Sequence, residues 1–329
     1  MTDLEELVRR GDPSELLLEV DRRCDQRDWD GLLALRDRCN QAIEHGRQLW
    51  SVAQFIEYRL ALEAPGEHAA GVCRTGAGRF ALGPLTEVAA STHSWEELAD
   101  HLAEPWVAAT LAQERILRGE DLRGDPRTHP GELGLPLTLL PWEPDYPLPI
   151  YRSHDLVEGG PPAVDPSRFR EASGSDVPPA DRPDLRRALL EVAATWAEAS
   201  NGGCVVAAVE GDAVAAAHAV VGSPVELAPV EIGEAMSRLA WTAASGGAYG
   251  RRRGMSAGRS SALWVLHAAT GVAAGDGASR LEPELGRLRW FVIAVPDAAG
   301  WRLRVAFEHE EGWSAAIDAW DHRIDEDAL

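Results

Sequence analysis

Proline is concentrated in one stretch of this chain, and that stretch divides the sequence into three parts. Between residues 126 and 179 lie Pro126, Pro130, Pro136, Pro141, Pro144, Pro147, Pro149, Pro161, Pro162, Pro166, Pro178 and Pro179. Proline fixes φ and lacks a backbone N–H, so neither a long helix nor a central strand can run through this stretch. We therefore predict a domain at 1–122, a Pro/Gly-rich connecting segment at 123–182 and a second domain at 183–329.

The connecting segment changes character along its length. From Leu137 to Tyr151 it carries leucine, tryptophan and tyrosine side chains, which predict an extended strap packed over a domain. From Glu158 to Asp181 apolar side chains are scarce. This second part is predicted to be mobile, because it has little apolar surface to bury.

The first 122 residues have the pattern of consecutive short helices. Asp12-Pro13 is typical of a helix start, with an acceptor at the cap and proline at the first helical position. Ser94 and Glu97 have the spacing of a capping box, and His45-Gly46 is typical of a helix end. Short helices joined by brief turns predict an antiparallel helical-hairpin stack.

The last part of the chain mixes helical and strand patterns. Helices are predicted at 183–200, 229–245 and 256–270, and strands at 204–209, 288–295 and 301–307. Residues 213–221 fit a helix or a strand, and the acidic tail 318–327 is predicted to fray. The fold expected is mainly α with an α+β C-terminal domain, in which helices pack on a small antiparallel sheet.

The charge of the chain excludes several classes of protein. The formal net charge is −21, and all 32 basic residues are arginine. A phosphate loop with its lysine and Schiff-base chemistry on lysine are therefore excluded. A pI near 4.9 argues against nucleic-acid binding and against binding to an anionic membrane surface.

Cysteine and histidine spacing predicts no metal site, and no cofactor is expected. The four cysteines form no Cys-x-x-Cys pair, and the histidines form no His-Glu-x-x-His motif. The charged start of the chain has no apolar leader, and no stretch approaches the ~20 apolar residues of a membrane span. We expect a cytoplasmic protein with reduced thiols.

A glycine-dense segment, Gly246–Arg259, is the candidate functional site. Its candidate anion-binding residues are Arg251, Arg252, Arg253, Arg259 and Ser256. Free N–H groups at a helix start near Ser256, together with guanidinium forks, would suit phosphate or carboxylate. Two structural alternatives stay open. In the first, the arginines pair with carboxylates of the same protein; in the second, glycines at every fourth position form the smooth face of a continuous helix.

Two short motifs in the chain resemble catalytic or cofactor-binding patterns. Gly254-Met-Ser256-Ala-Gly258 matches Gly-x-Ser-x-Gly, but no apolar strand precedes it, as a nucleophile elbow requires. Gly76-Ala-Gly78-Arg-Phe-Ala81 resembles a dinucleotide fingerprint, but it lies among helices rather than in a βαβ unit. Neither motif is expected to carry chemistry, and no catalytic residue is predicted.

The sequence around the arginines also resembles a known family. Leu239–Trp264 contains a Gly-Arg-Arg-Arg-Gly box, followed by Gly286-Arg-Leu-Arg-Trp290 and Gly300-Trp-Arg-Leu303. These segments, in the C-terminal half, are similar to an uncharacterised actinobacterial family of unknown function. The resemblance implies an actinobacterial, cytosolic origin and no activity.

Two functions from different classes follow from these observations. The first is a non-enzymatic protein-interaction or scaffold protein, whose acidic surface binds a protein partner. The second is a phosphate- or nucleotide-binding enzyme or sensor that holds an anionic small molecule with Arg251, Arg252, Arg253 and Arg259. Burial of the arginines on internal carboxylates would favour the first, whereas arginines lining an open pocket would favour the second.

Overall fold

A computed structural model of the chain describes residues 4–295 and 300–323. The chain forms two compact units, which we call unit 1 and unit 2. Unit 1 comprises Met1–Leu133 and Pro149–Val157, and unit 2 comprises Gly134–Leu148 and Glu158–Leu329. The residues of the predicted 123–182 segment are thus shared between the two units.

Unit 1 is built from helices. They are α1 (Leu4–Arg10), α2 (Pro13–Asp25), α3 (Trp29–Glu44), α4 (Trp50–Glu63), α5 (Gly66–Val72), α6 (Leu85–Thr92), α7 (Trp95–Leu98) and α8 (Pro105–Ile116). Asp12 caps α2 by accepting the N–H of Ser14 at 2.9 Å, and Ser94 and Glu97 form the capping box of α7. The predicted helix starts at these positions are confirmed.

A two-stranded ribbon completes unit 1. Strands β1 (Ile150–Tyr151) and β2 (Leu156–Val157) pair antiparallel. The Tyr151 hydroxyl donates to the buried carboxylate of Glu87 at 2.6 Å, and the Tyr58 hydroxyl donates to the carbonyl oxygen of Arg152. This part of the chain is therefore fastened to α4 and α6.

Unit 2 combines helices with a six-stranded sheet. Its helices are α9 (Pro183–Val192), α10 (Ala194–Ala199), α11 (Ala213–Val221), α12 (Ile232–Ala244), α13 (Met255–Thr270) and α14 (Ala278–Leu285). Its strands are β3 (Arg170–Ala172), β4 (Gly203–Glu210), β5 (Val225–Val230), β6 (Leu288–Ile293), β7 (Trp301–His309) and β8 (Trp313–Asp321). The strand order is β3-β5-β6-β7-β8-β4, and every neighbouring pair is antiparallel. The α+β fold expected for this part of the chain is confirmed.

Both faces of the sheet are covered. A cluster that includes Leu227, Ile293 and Ala306 packs against α11. Leu303 and Phe307, which point to the opposite face because side chains alternate along a strand, are also buried, and α12 contacts β6 and β7. An antiparallel sheet often leaves one face in water, but this one does not.

Several element boundaries differ from the predictions. The expected helix 183–200 is broken at Ala193, and Pro229 lies in β5 rather than in α12. The stretch 158–181 was expected to be mobile, but it contributes β3, which pairs with β5. Residues 213–221 form a helix, with Asp212 as the cap that accepts the N–H of Ala215.

The prediction that residues 318–327 fray is wrong for residues 318–321. Asp318 and Asp321 belong to β8 and are buried. The arginine of β7 opposite Asp318, Arg304, pairs with it at 2.9 Å. The remainder of the predicted tail, from residue 324, and the hairpin positions 297–299 lie outside the described residues.

Candidate functional site

The Gly246–Arg259 segment connects α12 to α13. Helix α12 ends at Ala244 and α13 begins at Met255, so the glycines at 246 and 250 lie in a loop. Gly254 has φ of +93° and precedes the first turn of α13. The continuous glycine-faced helix considered as one alternative is therefore wrong, although Gly258 within α13 does permit close packing. A Cβ at Gly258 would lie 2.2 Å from the carbonyl oxygen of Ala240 in α12.

The loop is fastened to the end of β8 by a buried carboxylate. Asp321 is almost wholly buried and accepts the backbone N–H of Ala248 at 2.6 Å. Gly247 has φ of +65°, and a Cβ there would lie 2.0 Å from the same carboxylate. A glycine is thus required where the loop passes Asp321.

Arg259 is the most deeply buried of the candidate residues. Its guanidinium and the Glu143 carboxylate both have an exposed fraction of 0% and form two hydrogen bonds, of 2.8 and 2.6 Å. Arg259 also donates to the carbonyl oxygens of Pro136 and Thr138 at 3.0 and 2.9 Å. It therefore holds residues 134–148 against α13 and does not face an open anion site. We call these residues the strap; they share 137–148 with the predicted strap 137–151.

The buried pair is extended by a tyrosine. The Tyr146 hydroxyl donates to Glu143 Oε2 at 2.6 Å, the oxygen that also accepts Arg259 Nε. Burial, followed by the charge of Glu143, raises the pKa of Tyr146 well above its usual range. Tyr146 therefore stays neutral and remains a donor, while Glu143 is the acceptor for both Arg259 and Tyr146.

The other arginines reach other carboxylates. Arg252 has a side chain only 4% exposed and lies 3.4 Å from Glu158, and Arg253 pairs with Glu191 at 2.8 Å. Arg251 is exposed, but it too interacts with another group of the protein, as do Arg252 and Ser256. Arg252, Arg253 and Arg259 thus reach three different acids, which is the arrangement that the alternative of internal ion pairing expects.

Neither short motif has a catalytic setting. Ser256 is buried in the first turn of α13, after a loop rather than a strand, so no nucleophile elbow is formed. The 76–81 motif lies in the connection between α5 and α6, so no strand precedes or follows it directly in the sequence. Burial raises the pKa of Cys24 and Cys73 to about 12 and that of Cys39 to about 11, so these thiols are protonated at neutral pH.

A second feature, which the sequence did not reveal, is an apolar groove on unit 1. We call it the aromatic groove. Its cavity of about 280 Å³ is lined by Pro13, Leu17, Ser51, Val52, Phe55, Tyr58, Phe80, Ala81, Leu82 and His154. Phe80 is 54% exposed and neighbouring Trp50 is 46% exposed, with ring centroids 5.0 Å apart. Phe80 and Trp50 together form an exposed aromatic patch at this groove.

Polar contacts fix the shape of the groove. The backbone N–H of Phe80 donates to the side-chain oxygen of Gln54 in α4. His154 stacks on Phe55 with centroids 5.4 Å apart and lies 3.2 Å from the carboxylate of Asp21. Helical periodicity in the sequence groups the α2 residues of the groove on one face of their helix, and likewise those of α4. It does not predict that residues 80–82 and 154, which are distant in sequence, join them.

Two further properties concern the described residues. No helix within 4–295 and 300–323 combines the length and apolar character that a membrane crossing requires. In the same part of the chain, no three His, Cys, Asp or Glu side chains gather in a group suited to a metal ion.

Comparison with known proteins identifies the family. The chain belongs to a family of unknown function (DUF6183), whose model matches residues 14–310. The predicted resemblance to an uncharacterised family is confirmed, and the match extends well beyond the C-terminal half. No curated protein and no solved structure matches the chain.

Proposed function

We propose that this member of a family of unknown function is a non-enzymatic interaction protein that binds a partner protein through the aromatic groove of unit 1. The observation that carries the proposal is the groove itself, with Phe80, Trp50 and Leu17 exposed around an apolar cavity. Aromatic side chains in a cavity are the groups that most often anchor a protein interface.

The pairing of the arginines supports this proposal over the anion-binding alternative. Arg259 is wholly buried on Glu143, and Arg252 is nearly buried beside Glu158. A guanidinium in a buried pair cannot leave its carboxylate for a solvent anion without exposing an unpaired internal charge. The residues of the Gly-Arg box then stabilise unit 2 rather than bind phosphate.

The charge of the chain indicates the chemistry of the partner. The net charge is −21, and acidic side chains outnumber arginines in unit 1 as well as in the whole chain. Asp12, the N-cap of α2, and Glu15, in the first turn of α2, flank Pro13 of the groove in the sequence. The proposed partner is therefore a segment with apolar anchors flanked by basic residues, which such a surface attracts. We propose that the protein binds this partner in the cytoplasm of an actinobacterial cell.

The proposal is tested by comparing variants in capture from the native host. Phe80→Ala and Leu17→Ser remove groove contacts, and Leu190→Ala removes an exposed apolar side chain of α9 as the control. The expected result is one polypeptide, identified by mass spectrometry, that both groove variants lose and the control retains. The purified partner should bind more weakly as salt rises. If the groove variants still capture the polypeptide, the proposal is contradicted.

The phosphate- or nucleotide-binding alternative has its own test. It rests on Arg251, Arg252 and Arg253, because Arg259 is committed to Glu143. If it holds, an anionic metabolite stabilises the protein to heat at low salt, and Arg252→Ala removes that stabilisation. A protein that no such metabolite stabilises contradicts the alternative.

A further inference from the structure

Unit 2 contains a cleft where β5 leads into α12 and α14 leads into β6. Its volume is about 660 Å³, within the range of small-molecule sites. The apolar side chains that line it include Trp142, Pro229, Ile232, Leu285, Leu288 and Phe291. Trp142 belongs to the strap, next to Glu143, so the buried pair of Glu143 and Arg259 also holds one wall of the cleft.

Of the charged side chains that line the cleft, one carboxylate is available to bind a ligand. Arg289 lines the cleft but pairs with Glu308, its cross-strand neighbour in β7. Glu231 accepts a backbone N–H as the cap of α12. Glu282 of α14 is exposed and makes no hydrogen bond or ion pair with the described residues. A charged ligand in the cleft would therefore meet a negative site.

Trp290 adds an unsatisfied donor to the same wall. It is 3% exposed, packs on Phe307 with centroids 4.4 Å apart, and lines the cleft. Its indole N–H is buried and has no acceptor among the described residues. Buried donors are nearly always paired, and at a cavity wall a water or a ligand in the cavity can supply the acceptor.

We propose that this cleft binds a small organic cation, a protonated amine on an aromatic or aliphatic body. The ammonium pairs with Glu282, and the body packs between Trp142 and Phe291. Tryptophan is the best aromatic partner for a cation, so Trp142 also contributes to recognition of the charge. An acceptor on the body, which can be the π face of an aromatic ring, accepts the N–H of Trp290. This site is independent of the aromatic groove.

The test uses three probes that share a phenylethyl body and differ in charge. They are 2-phenylethylamine, 3-phenylpropionate and the neutral 2-phenylethanol, titrated by calorimetry and by tryptophan fluorescence. We expect saturable binding of the amine to the full chain, with the carboxylate at least about tenfold weaker. A carboxylate that binds as tightly as the amine, or an amine that shows no saturation in the millimolar range, would overturn the proposal.

Variants assign the binding to the cleft. Glu282→Gln should weaken the amine about fivefold to tenfold and leave the neutral probe unchanged. Glu171→Gln, at an exposed position on β3, changes the net charge equally and should have no effect. Both side chains are exposed, so both variants should keep the wild-type melting temperature. Equal amine affinity in the two variants would overturn the assignment of Glu282.

A second pair of variants tests the aromatic wall. Trp142→Phe keeps a ring in the strap and should retain the preference for the amine over the carboxylate. Trp142→Ala removes the ring and should lower the affinity for the amine more than that for the neutral probe. A purely structural role for Trp142 would lower both affinities alike, and that result would contradict its role in recognising the cation.

Discussion

At the scale of single residues, Arg259 donates four hydrogen bonds to other residues of unit 2. Glu143 accepts two of them, and the carbonyl oxygens of Pro136 and Thr138 accept the others. A planar guanidinium can serve these acceptors together, whereas an ammonium cannot. The sequence could locate this arginine but not its partner, because the two are 116 positions apart and nothing local links them.

Replacing Arg259 should destabilise the protein strongly. Arg259→Ala leaves Glu143 charged and buried, and we expect a loss of about 3–5 kcal/mol in the free energy of unfolding. Arg259→Lys should lose less, since it keeps the charge. The double variant Arg259→Met with Glu143→Leu should recover much of the loss. Urea unfolding followed by tryptophan fluorescence measures all three, and an alanine variant as stable as wild type would contradict the interpretation.

The buried thiols of unit 1 predict a loss of stability at alkaline pH. Burial raises the pKa of Cys39 from 9.0 to about 11. Between these values the unfolded chain has released a proton that the folded protein retains, so the free energy of unfolding falls as pH rises. Below pH 9 this contribution is complete. Urea unfolding with reductant at about pH 8 and about pH 10.5 checks it, and Cys39→Ala should show a shallower decline.

At the scale of elements, local signals in the sequence were sufficient for most helices and insufficient for three strands of the sheet, β3, β5 and β8. Caps such as Asp12 and Ser94 act on their own backbone, so the positions of α2 and α7 could be predicted. Strand β8 is rich in alanine and carries Asp318 and Asp321, with no polar alternation. Both of its faces are covered, and its acids have partners from other elements. That pairing is tertiary, and the sequence does not display it.

The crossing of α12 and α13 depends on a glycine. A Cβ at Gly258 would lie 2.2 Å from the carbonyl oxygen of Ala240, so Gly258→Ala should push the helices apart and cost about 1–3 kcal/mol. Gly71→Ala in α5 is the matched control, since nothing lies within 4 Å of its added Cβ. It should be neutral or stabilising by about 0.5 kcal/mol, because alanine favours a helix. Thermal melts compare the two, and equal melting temperatures would contradict the close packing.

At the scale of the whole molecule, the chain returns to unit 1 after it has entered unit 2. Residues 134–148 belong to unit 2, and Pro149–Val157 belong to unit 1. Composition predicted a single connecting segment here, because proline content does not reveal which unit each stretch packs on. Glu87 and Tyr58 need Tyr151 and Arg152 as hydrogen-bond partners, and these could be found only in the folded structure.

The return of the chain predicts how fragments behave. A fragment 1–133 lacks the ribbon and leaves Glu87 without Tyr151, so it should melt at a lower temperature than a fragment 1–157. Circular dichroism of the two fragments measures the difference. Tyr151→Phe in the longer fragment separates the hydrogen bond from the packing of the ring. Equal melting temperatures for the two fragments would show that the ribbon adds nothing to unit 1.

The pair of Glu143 and Arg259 also sets an order of events during synthesis. Glu143 leaves the ribosome 116 residues before its partner, a delay of roughly 6–25 s at typical rates of elongation. In that interval every residue of unit 1 has emerged, whereas the strap has no guanidinium to receive its carboxylate. The carboxylate of the strap therefore stays solvated until α13 has been synthesised. Only then can the wall of the cleft that carries Trp142 take its final position.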